Sequence, residues 1–221
     1  MVIDPKDMPS MLWGCNLTQI ESYDTIFNAL KKIEEKHKIP MGFSLSSSWQ
    51  GDLDTFKNHI KNLGYKEKVK FVWLAKNIID YKREKQSSAV IERCYDQNVM
   101  IELIKMGFGN DTAEIFSNGV LNNPKEDNRA FFIARTKSGD IAGCGAAYYF
   151  GNVGYMSCLA VKPEYRQQNI AKDLVKARIE FLKDSEVEHI VTAVRETNEQ
   201  SMAVQKNSGY LPCAMTEYWM K

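Results

Sequence analysis

A short polar stretch, RQQN at residues 166–169, lies between a strand-like run and a helix-like run, and its residue types suit an anion. Arg166 carries a fixed charge whose guanidinium can contact an anion through two nitrogens. The first N–H groups of a helix have no intrahelical acceptor and lie at the positive end of the helix dipole. Gln167, Gln168 and Asn169 can turn their backbone amides towards the same point. The stretch therefore predicts a phosphate site, and the alternative is a solvated loop that caps a surface helix.

Two residues at the end of this loop have properties that such a site requires. Asn169 occupies the place where a positive φ is most expected, and Asn tolerates that conformation better than any residue except Gly. Ala171 is small enough to let a ligand approach the backbone closely. Both residues favour the phosphate interpretation.

The elements that would hold this loop follow a regular order in the C-terminal two thirds of the chain. Apolar and β-branched runs predict strands at residues 88–95, 129–136, 141–150, 153–161, 189–194 and 216–221. Tight turns connect the second, third and fourth of these strands. Helical spacing of apolar residues predicts helices at Ala171–Lys183 and from Asn198 to Gly209, with broken helical patterns from Asp96 to Asn123. The order predicts an α/β (α+β) fold with a mixed, mostly antiparallel sheet flanked by helices.

Composition excludes several classes of protein. The chain has 221 residues, of which 44% are hydrophobic and 26% charged, so it can bury a core and is neither disordered nor fibrous. A net charge of +1 gives no general field to attract nucleic acid or an anionic membrane, and neither is predicted as a partner. No apolar run approaches ~18 residues and no signal peptide pattern is present, so a cytoplasmic location is predicted.

The cysteines and histidines predict no metal site. The five cysteines are scattered without a CxxC pair, which favours buried free thiols over disulfides or zinc ligands: Cys15, Cys94, Cys144, Cys158 and Cys213. His37, His59 and His189 are far apart in the sequence and are expected at the surface or at helix ends.

The loop resembles the acyl-CoA-binding signature of the GNAT N-acyltransferase superfamily. That signature has Arg or Gln, two variable residues, Gly, a variable residue, and Gly or Ala. Arg166, Ile170 and Ala171 fit it, whereas Asn169 stands where Gly is usual. A second stretch is similar to a later helical signature of the family, with matches at Asn198, Ser201, Gly209 and Tyr210. The resemblance covers residues 88–221.

The resemblance implies a GNAT-like sheet whose fourth and fifth strands splay apart to admit the pantetheine arm of acetyl-CoA. The backbone of Leu159 to Val161 would pair with that arm, and an N–H near Leu159 would hold the tetrahedral oxyanion. The pyrophosphate would bind at Gln167 to Lys172. The acetyl-CoA-binding residues implied in this way are Leu159, Ala160, Val161, Arg166, Gln167, Gln168, Asn169, Ile170, Ala171, Lys172, Asn198, Ser201 and Gln205.

The catalytic residues remain unknown at this point, with the backbone of Leu159 and the side chain of Gln205 as candidates. Many members of the family carry a Tyr at the place of Gln205 to protonate the leaving thiolate, and Gln cannot act as an acid. The implied reaction is direct attack of a primary amine on the thioester of acetyl-CoA. The amine would belong to a small molecule or a peptide, and the enzyme would be a monomer or a homodimer. The alternative is a pseudoenzyme that binds CoA, or nothing, and acts as an interaction module.

The first 80 residues contain an internal repeat of the C-terminal pattern. Residues 56–75 align with residues 201–220, and the aligned identities are Lys61, Asn62, Gly64 and Tyr65 over Lys206, Asn207, Gly209 and Tyr210. We predict a degenerate, partial GNAT-like domain at residues 1–80 and a catalytic domain at 88–221. The alternative is chance similarity of two helix-to-strand units. The Lys-rich segment 57–85 is predicted to be a solvated face and linker.

Overall fold

A computed structural model describes residues 10–12, 41–47, 52–83, 88–110 and 127–220, with isolated positions at 25, 27, 28, 31, 32, 35, 36, 113, 117 and 121. The chain divides into two compact units. The first comprises residues 1–73, 194–197 and 213–221, and the second comprises residues 74–193 and 198–212. The predicted domain limits, 1–80 and 88–221, stay a prediction.

Nine strands and four α-helices have both ends within the described ranges, and several of the single described positions are also helical. The strands are β1 (Ser10–Leu12), β2 (Met41–Ser46), β3 (Lys66–Asn77), β4 (Val90–Arg93), β5 (Arg129–Arg135), β6 (Ile141–Phe150), β7 (Val153–Val161), β8 (His189–Arg195) and β9 (Leu211–Met220). The helices are α1 (Leu53–Asn62), α2 (Gln97–Phe108), α3 (Ile170–Asp184) and α4 (Glu199–Asn207), and a 3₁₀ turn covers Pro163–Tyr165.

The first unit has an aromatic core between its strands and α1. Its strand order is β1, β2, β9, β3, with β2 parallel to β1 and antiparallel to β9. Phe43 on β2 faces Trp219 on β9, and the ring of Phe43 lies 4.8 Å from that of Tyr65. Phe56 and Ile60 lie one turn apart on α1, so both face this core.

The aligned halves of the internal repeat end their helices in the same way. Gly64 follows α1 with φ +88, and Gly209 follows α4 with φ +83. The next residue is a buried Tyr in both, and its N–H donates to the carbonyl five residues earlier, at 3.0 Å for Tyr65 and 3.1 Å for Tyr210. This is the bond that closes a helix with a left-handed residue after its end.

The second unit contains a mixed sheet between α2 and α3. Its strand order is β8, β7, β6, β5, β4, with antiparallel pairs from β4 to β7 and a parallel pair between β7 and β8. Cys144 and Ala146 on β6 pack in a core with α2. Gly143 and Gly145 point to the other face, where the side chains of α3 lie within 3.3 Å of the place of a Cβ. The predicted fold class is confirmed.

The boundaries agree with the sequence at β6 and β7 and differ at β3 and β9. The strands predicted at 141–150 and 153–161 are confirmed without change, whereas the last strand begins at Leu211, five residues before the predicted one. The prediction of a solvated face and linker is wrong for Lys66–Asn77, which is a strand with Leu74 fully buried. Lys66 and Lys68 are exposed, whereas the ammonium of Lys76 donates to the carbonyl of Ser208 at 2.6 Å.

Replacing Gly64 by Ala should lower the free energy of unfolding by about 1 kcal/mol, because an L side chain is strained at this positive φ. The added Cβ would have no atom within 4 Å, so backbone conformation alone produces the loss. Urea unfolding measures it, and Gly64→Asn is the control because Asn tolerates this conformation better than Ala. An unchanged unfolding midpoint for Gly64→Ala would contradict the described turn.

Candidate functional site

The strands β7 and β8 pair over only three residues. Val153 to Tyr155 pair with His189 to Val191, although both strands continue beyond this point. At Met156 the carbonyl accepts a hydrogen bond from the Thr192 hydroxyl, at 2.9 Å, in place of a backbone partner. The backbone pairing with β8 therefore stops after Tyr155, and the edge of β7 from Leu159 to Val161 is open to a strand-like ligand.

A β-bulge interrupts β7 within this open stretch. Ser157 faces Ala146 and Ala160 faces Cys144, so Gly145 alone stands opposite two residues, 158 and 159. Cys158 has φ +56, a conformation in which non-glycine residues are uncommon. A bulge removes a residue from the ladder and turns its neighbouring groups, which is why bulges recur beside active sites.

The loop after β7 is held by its own side chains. Nε of Arg166 donates to the carbonyl oxygen of Val161 at 3.3 Å, and Nε2 of Gln168 donates to the carbonyl oxygen of Glu164 at 3.2 Å. Pro163 begins the 3₁₀ turn that precedes them. Arg166 is exposed and its hydrogen bond to Val161 uses only Nε, so its terminal nitrogens can contact an added anion.

Two residues of the loop have a left-handed backbone conformation, directly before the first turn of α3. Asn169 has φ +62, as its sequence position predicted, and Gln167 has φ +61, which was not foreseen. The first helical bond of α3 runs from the N–H of Asp173 to the carbonyl of Asn169, and the side chain of Asn169 does not cap the helix. The N–H groups of residues 170 to 172 therefore have no acceptor within the helix.

The predicted residues on α4 have different local roles. The side chain of Asn198 caps the helix by accepting the N–H of Ser201 at 3.0 Å, so that carboxamide oxygen is already engaged. Gln205 is 2% exposed, and its Oε1 has no hydrogen-bond partner among the described residues. A buried amide oxygen without a donor is costly, which favours a ligand or water there.

The cysteines of the second unit are structural in character. Cys144 and Cys158 are buried, as predicted, Cys94 is only partly buried, and Cys213 in the first unit is exposed, so the prediction is wrong for Cys213. Burial raises the pKa of Cys158 to about 12, so the thiol is protonated at neutral pH. Cys15 lies outside the described residues, as does His37.

A buried arginine on α3 was missed by the sequence interpretation. Arg178 is 1% exposed, and it donates through Nε to the carbonyl of Leu174 and through Nη1 to the carbonyl of Ser157, both at 3.1 Å. Burial lowers the pKa of Arg178 to about 10, which leaves it charged at neutral pH. Its spacing of four residues from Leu174 and Leu182 placed it on the apolar stripe and could have revealed its burial.

An acetyltransferase (GNAT) family model matches residues 103–210. Residues 103–210 therefore belong to a GNAT-type acetyltransferase domain. This match confirms the resemblance carried by the loop and by α4.

One curated relative and several solved structures are similar to this chain. A protein of Bacillus subtilis (strain 168), described as a candidate ribosomal protein bS18-alanine N-acetyltransferase, is 26% identical over 101 residues. The match covers 46% of this chain and 64% of that protein, so less than two thirds of the relative is represented.

Among solved structures, a functionally unknown conserved protein from Staphylococcus epidermidis ATCC 12228 has a TM-score of 0.71 at 10% identity, covering 96% of this chain and 84% of that chain. A tandem GNAT protein from the clavulanic acid biosynthesis pathway has a TM-score of 0.70 at 13% identity, with 98% and 76% covered. A GCN5-related N-acetyltransferase from Kribbella flavida has a TM-score of 0.71 at 11% identity, with 96% and 80% covered. Identities this low show the fold alone.

Within the described ranges, no cluster of three or more His, Cys, Asp or Glu side chains could hold a metal ion. The same ranges contain no helix with both the length and the apolar character needed to cross a bilayer.

Arg166→Ala should weaken acetyl-CoA binding more than removal of any other single charge. A charge-assisted contact to phosphate contributes about 1.5–3 kcal/mol, which corresponds to a dissociation constant about 10- to 100-fold higher. Lys172→Ala is the matched control and should lose less, because a flexible ammonium makes a weaker directional contact. Calorimetric titration measures both, and equal affinities for wild type and Arg166→Ala would remove the phosphate assignment.

Asn169→Gly should leave acetyl-CoA affinity unchanged or raise it, because Gly adopts φ +62 without strain. The side chain of Asn169 makes no capping bond that the change would remove. The same titration tests this, and a large loss of affinity would show that the Asn side chain itself contacts the ligand.

Proposed function

We propose that this chain is an N-acetyltransferase that transfers the acetyl group of acetyl-CoA to a primary amine. The observation that carries the proposal is the parting of β7 from β8 immediately before a loop of free amides. The two features form one path along residues 159–172. An extended, amide-containing arm that ends in a pyrophosphate fits that path in both shape and charge.

The donor would be bound mainly by backbone groups. The open edge of Leu159 to Val161 can pair with the two amides of the pantetheine arm, as an edge strand pairs with a peptide. The amides of residues 170–172 and the exposed guanidinium of Arg166 can hold the pyrophosphate. Metal is not required for this binding mode, and acetyl-CoA serves as a substrate.

The bulge at Cys158 and Leu159 would provide the donor for the oxyanion. Acyl transfer to an amine passes through a tetrahedral intermediate, and a backbone N–H that is fixed before the reaction stabilises its oxygen. Direct attack by the amine is favoured over a thioester intermediate on the protein, because the buried Cys158 thiol stays protonated at neutral pH. Holding the two reactants together is then the main contribution of the site.

The acceptor would approach on the face of the sheet that carries Tyr148 and Tyr155. The centroids of these two stacked rings lie 5.3 Å apart, and Tyr155 precedes the bulge on β7. Further along the strands, α2 covers the same face of the sheet. The relative from Bacillus subtilis is named for the α-amine of alanine on a ribosomal protein. A peptide α-amine is therefore one acceptor to test, beside small amines.

A pseudoenzyme is the second candidate, and Gln205 is the observation that favours it. The side chain of Gln205 cannot donate a proton to the leaving thiolate. The hydroxyl of Tyr210 donates to the sulfur of Met156, at 3.4 Å, and burial raises the pKa of Tyr210, so it is a poor acid as well. A thiolate with a pKa of roughly 8.5 nevertheless leaves without full protonation.

An acceptor screen with thiol detection tests the proposed activity. The panel contains lysine, glucosamine, spermidine and a hexapeptide that begins with alanine, each with saturating acetyl-CoA. Release of CoA that depends on one of these amines supports the transferase. Binding of acetyl-CoA without turnover of any amine supports the pseudoenzyme. A cytoplasmic location and a monomeric or homodimeric state remain predictions.

Gln205→Ala should keep most of the activity, because the wild-type side chain supplies no proton, and Gln205→Tyr should retain or raise it. A missing general acid costs about 10²-fold at the low end of the acid–base contribution, which Tyr could restore. Steady-state kcat and the acetyl-CoA dissociation constant are measured for both variants. Loss of about 10³-fold in kcat for Gln205→Ala, with affinity unchanged, would show that this mechanism is wrong.

A further inference from the structure

Arg178 lies directly against the bulge of β7. Its Nη1 donates to the carbonyl oxygen of Ser157, the residue before the bulge, at 3.1 Å. On β6 the residue opposite the bulge is Gly145, and a Cβ there would lie 3.1 Å from both Cδ and Nε of Arg178. The glycine therefore provides the space in which the guanidinium covers the bulge.

The charge of Arg178 has no acidic partner in the described part of the chain. The titratable groups that act on it are Tyr210, Cys158 and Cys144, and burial raises the pKa of each, so all three are neutral at pH 7. Its Nη2 has no hydrogen-bond acceptor among the described residues, although the side chain is 1% exposed. A buried cation without a counter-ion is strongly unfavourable, and an apolar residue in this place would cost less.

We propose that Arg178 is a positioning residue for acetyl transfer, which holds the Ser157 carbonyl and provides the positive charge beneath the bulge where the oxyanion forms. This inference rests on the proposed N-acetyltransferase function. The missing counter-ion is then the reaction's own negative charge, which exists only during turnover. A fixed charge in a water-poor site acts on such an anion far more strongly than it would in water.

The bond to Ser157 adds a second effect on the same anion. Its carbonyl and the N–H of Cys158 belong to one peptide group, so a cation that draws electron density towards the oxygen makes that N–H a stronger donor. The bond also fixes the peptide plane at the residue that has φ +56. Arg178 thus acts through the bulge and does not need to touch the substrate.

The step that this charge would assist is the first of the transfer. The amine nitrogen forms a bond to the thioester carbon, and the carbonyl π electrons move to oxygen as the oxyanion. The nitrogen loses a proton to water or a base, the oxyanion collapses, and the C–S bond breaks with its electron pair on sulfur. The CoA thiolate then takes a proton from water. Arg178 remains protonated throughout.

A charge-only comparison at position 178 tests this role. Arg178→Lys keeps the charge and a donor nitrogen, whereas Arg178→Gln keeps a donor nitrogen but is neutral. We expect kcat to fall by about 10²-fold for the Gln variant, as for removal of one oxyanion donor, and by about tenfold or less for the Lys variant. The dissociation constant for acetyl-CoA should stay within about twofold in both, because the charge acts only on the oxyanion.

Lys176→Gln is the matched control, since it also removes one positive charge from α3, at a partly exposed residue two positions before Arg178 and outside the site. Its kcat should equal that of the wild type. Assays use acetyl-CoA and the amine of the four-member panel that the wild type acetylates fastest. If Arg178→Gln does not fold, Arg178→Met is the neutral variant, and burial of an apolar chain there should preserve the fold.

Two results would overturn the inference. One is equal kcat for the Lys and Gln variants. The other is a fall in kcat that is accompanied by an equal loss of acetyl-CoA affinity or by a lower unfolding midpoint, because a purely structural role would produce such losses. Both results differ from failure of the proposed function. In that case the wild type acetylates none of the amines, whether or not it binds acetyl-CoA.

Discussion

The separation of β7 from β8 after Tyr155 is the constraint on which the site depends. A parallel pair that continued to Val161 would use every backbone group of β7 inside the sheet. Because the pair ends after three residues, the open edge must find other partners. The Thr192 hydroxyl donates a hydrogen bond to the Met156 carbonyl, and the bulge then changes the direction of the strand. The backbone groups beyond the bulge are available to a ligand.

One helix provides both of the electrostatic features that this opening requires. The first turn of α3 presents free amides to the loop, and its third turn places Arg178 under the bulge, so the rigid helix sets the distance between them. Its first turn is itself fixed, because the buried Asp173 carboxylate accepts the N–H of Ser88 at 2.8 Å. The arrangement is costly for stability, since a lone buried cation is unfavourable, and such costs are typical of functional sites.

Local patterns predicted the features that depend on local chemistry. Alternation gave the limits of β6 and β7, and the need for a positive φ before a helix identified Asn169. The bulge at Cys158 depends on register with β6, and the burial of Arg178 depends on a glycine 33 residues earlier in the chain. Lysine content concealed β3, because lysine can pack its stem and keep its charge in water. These features arise from pairing and packing at long range.

Amide hydrogen exchange with and without acetyl-CoA tests most directly the claim that the donor binds along the open edge and the loop. We expect slower exchange at the amides of residues 159–161 and 170–172, where hydrogen bonds to the ligand would protect amides that have no backbone partner in β8 or α3 now. Peptides from α1 and β3 should exchange at unchanged rates. Protection confined to other segments, or no protection at saturating acetyl-CoA, would contradict the account.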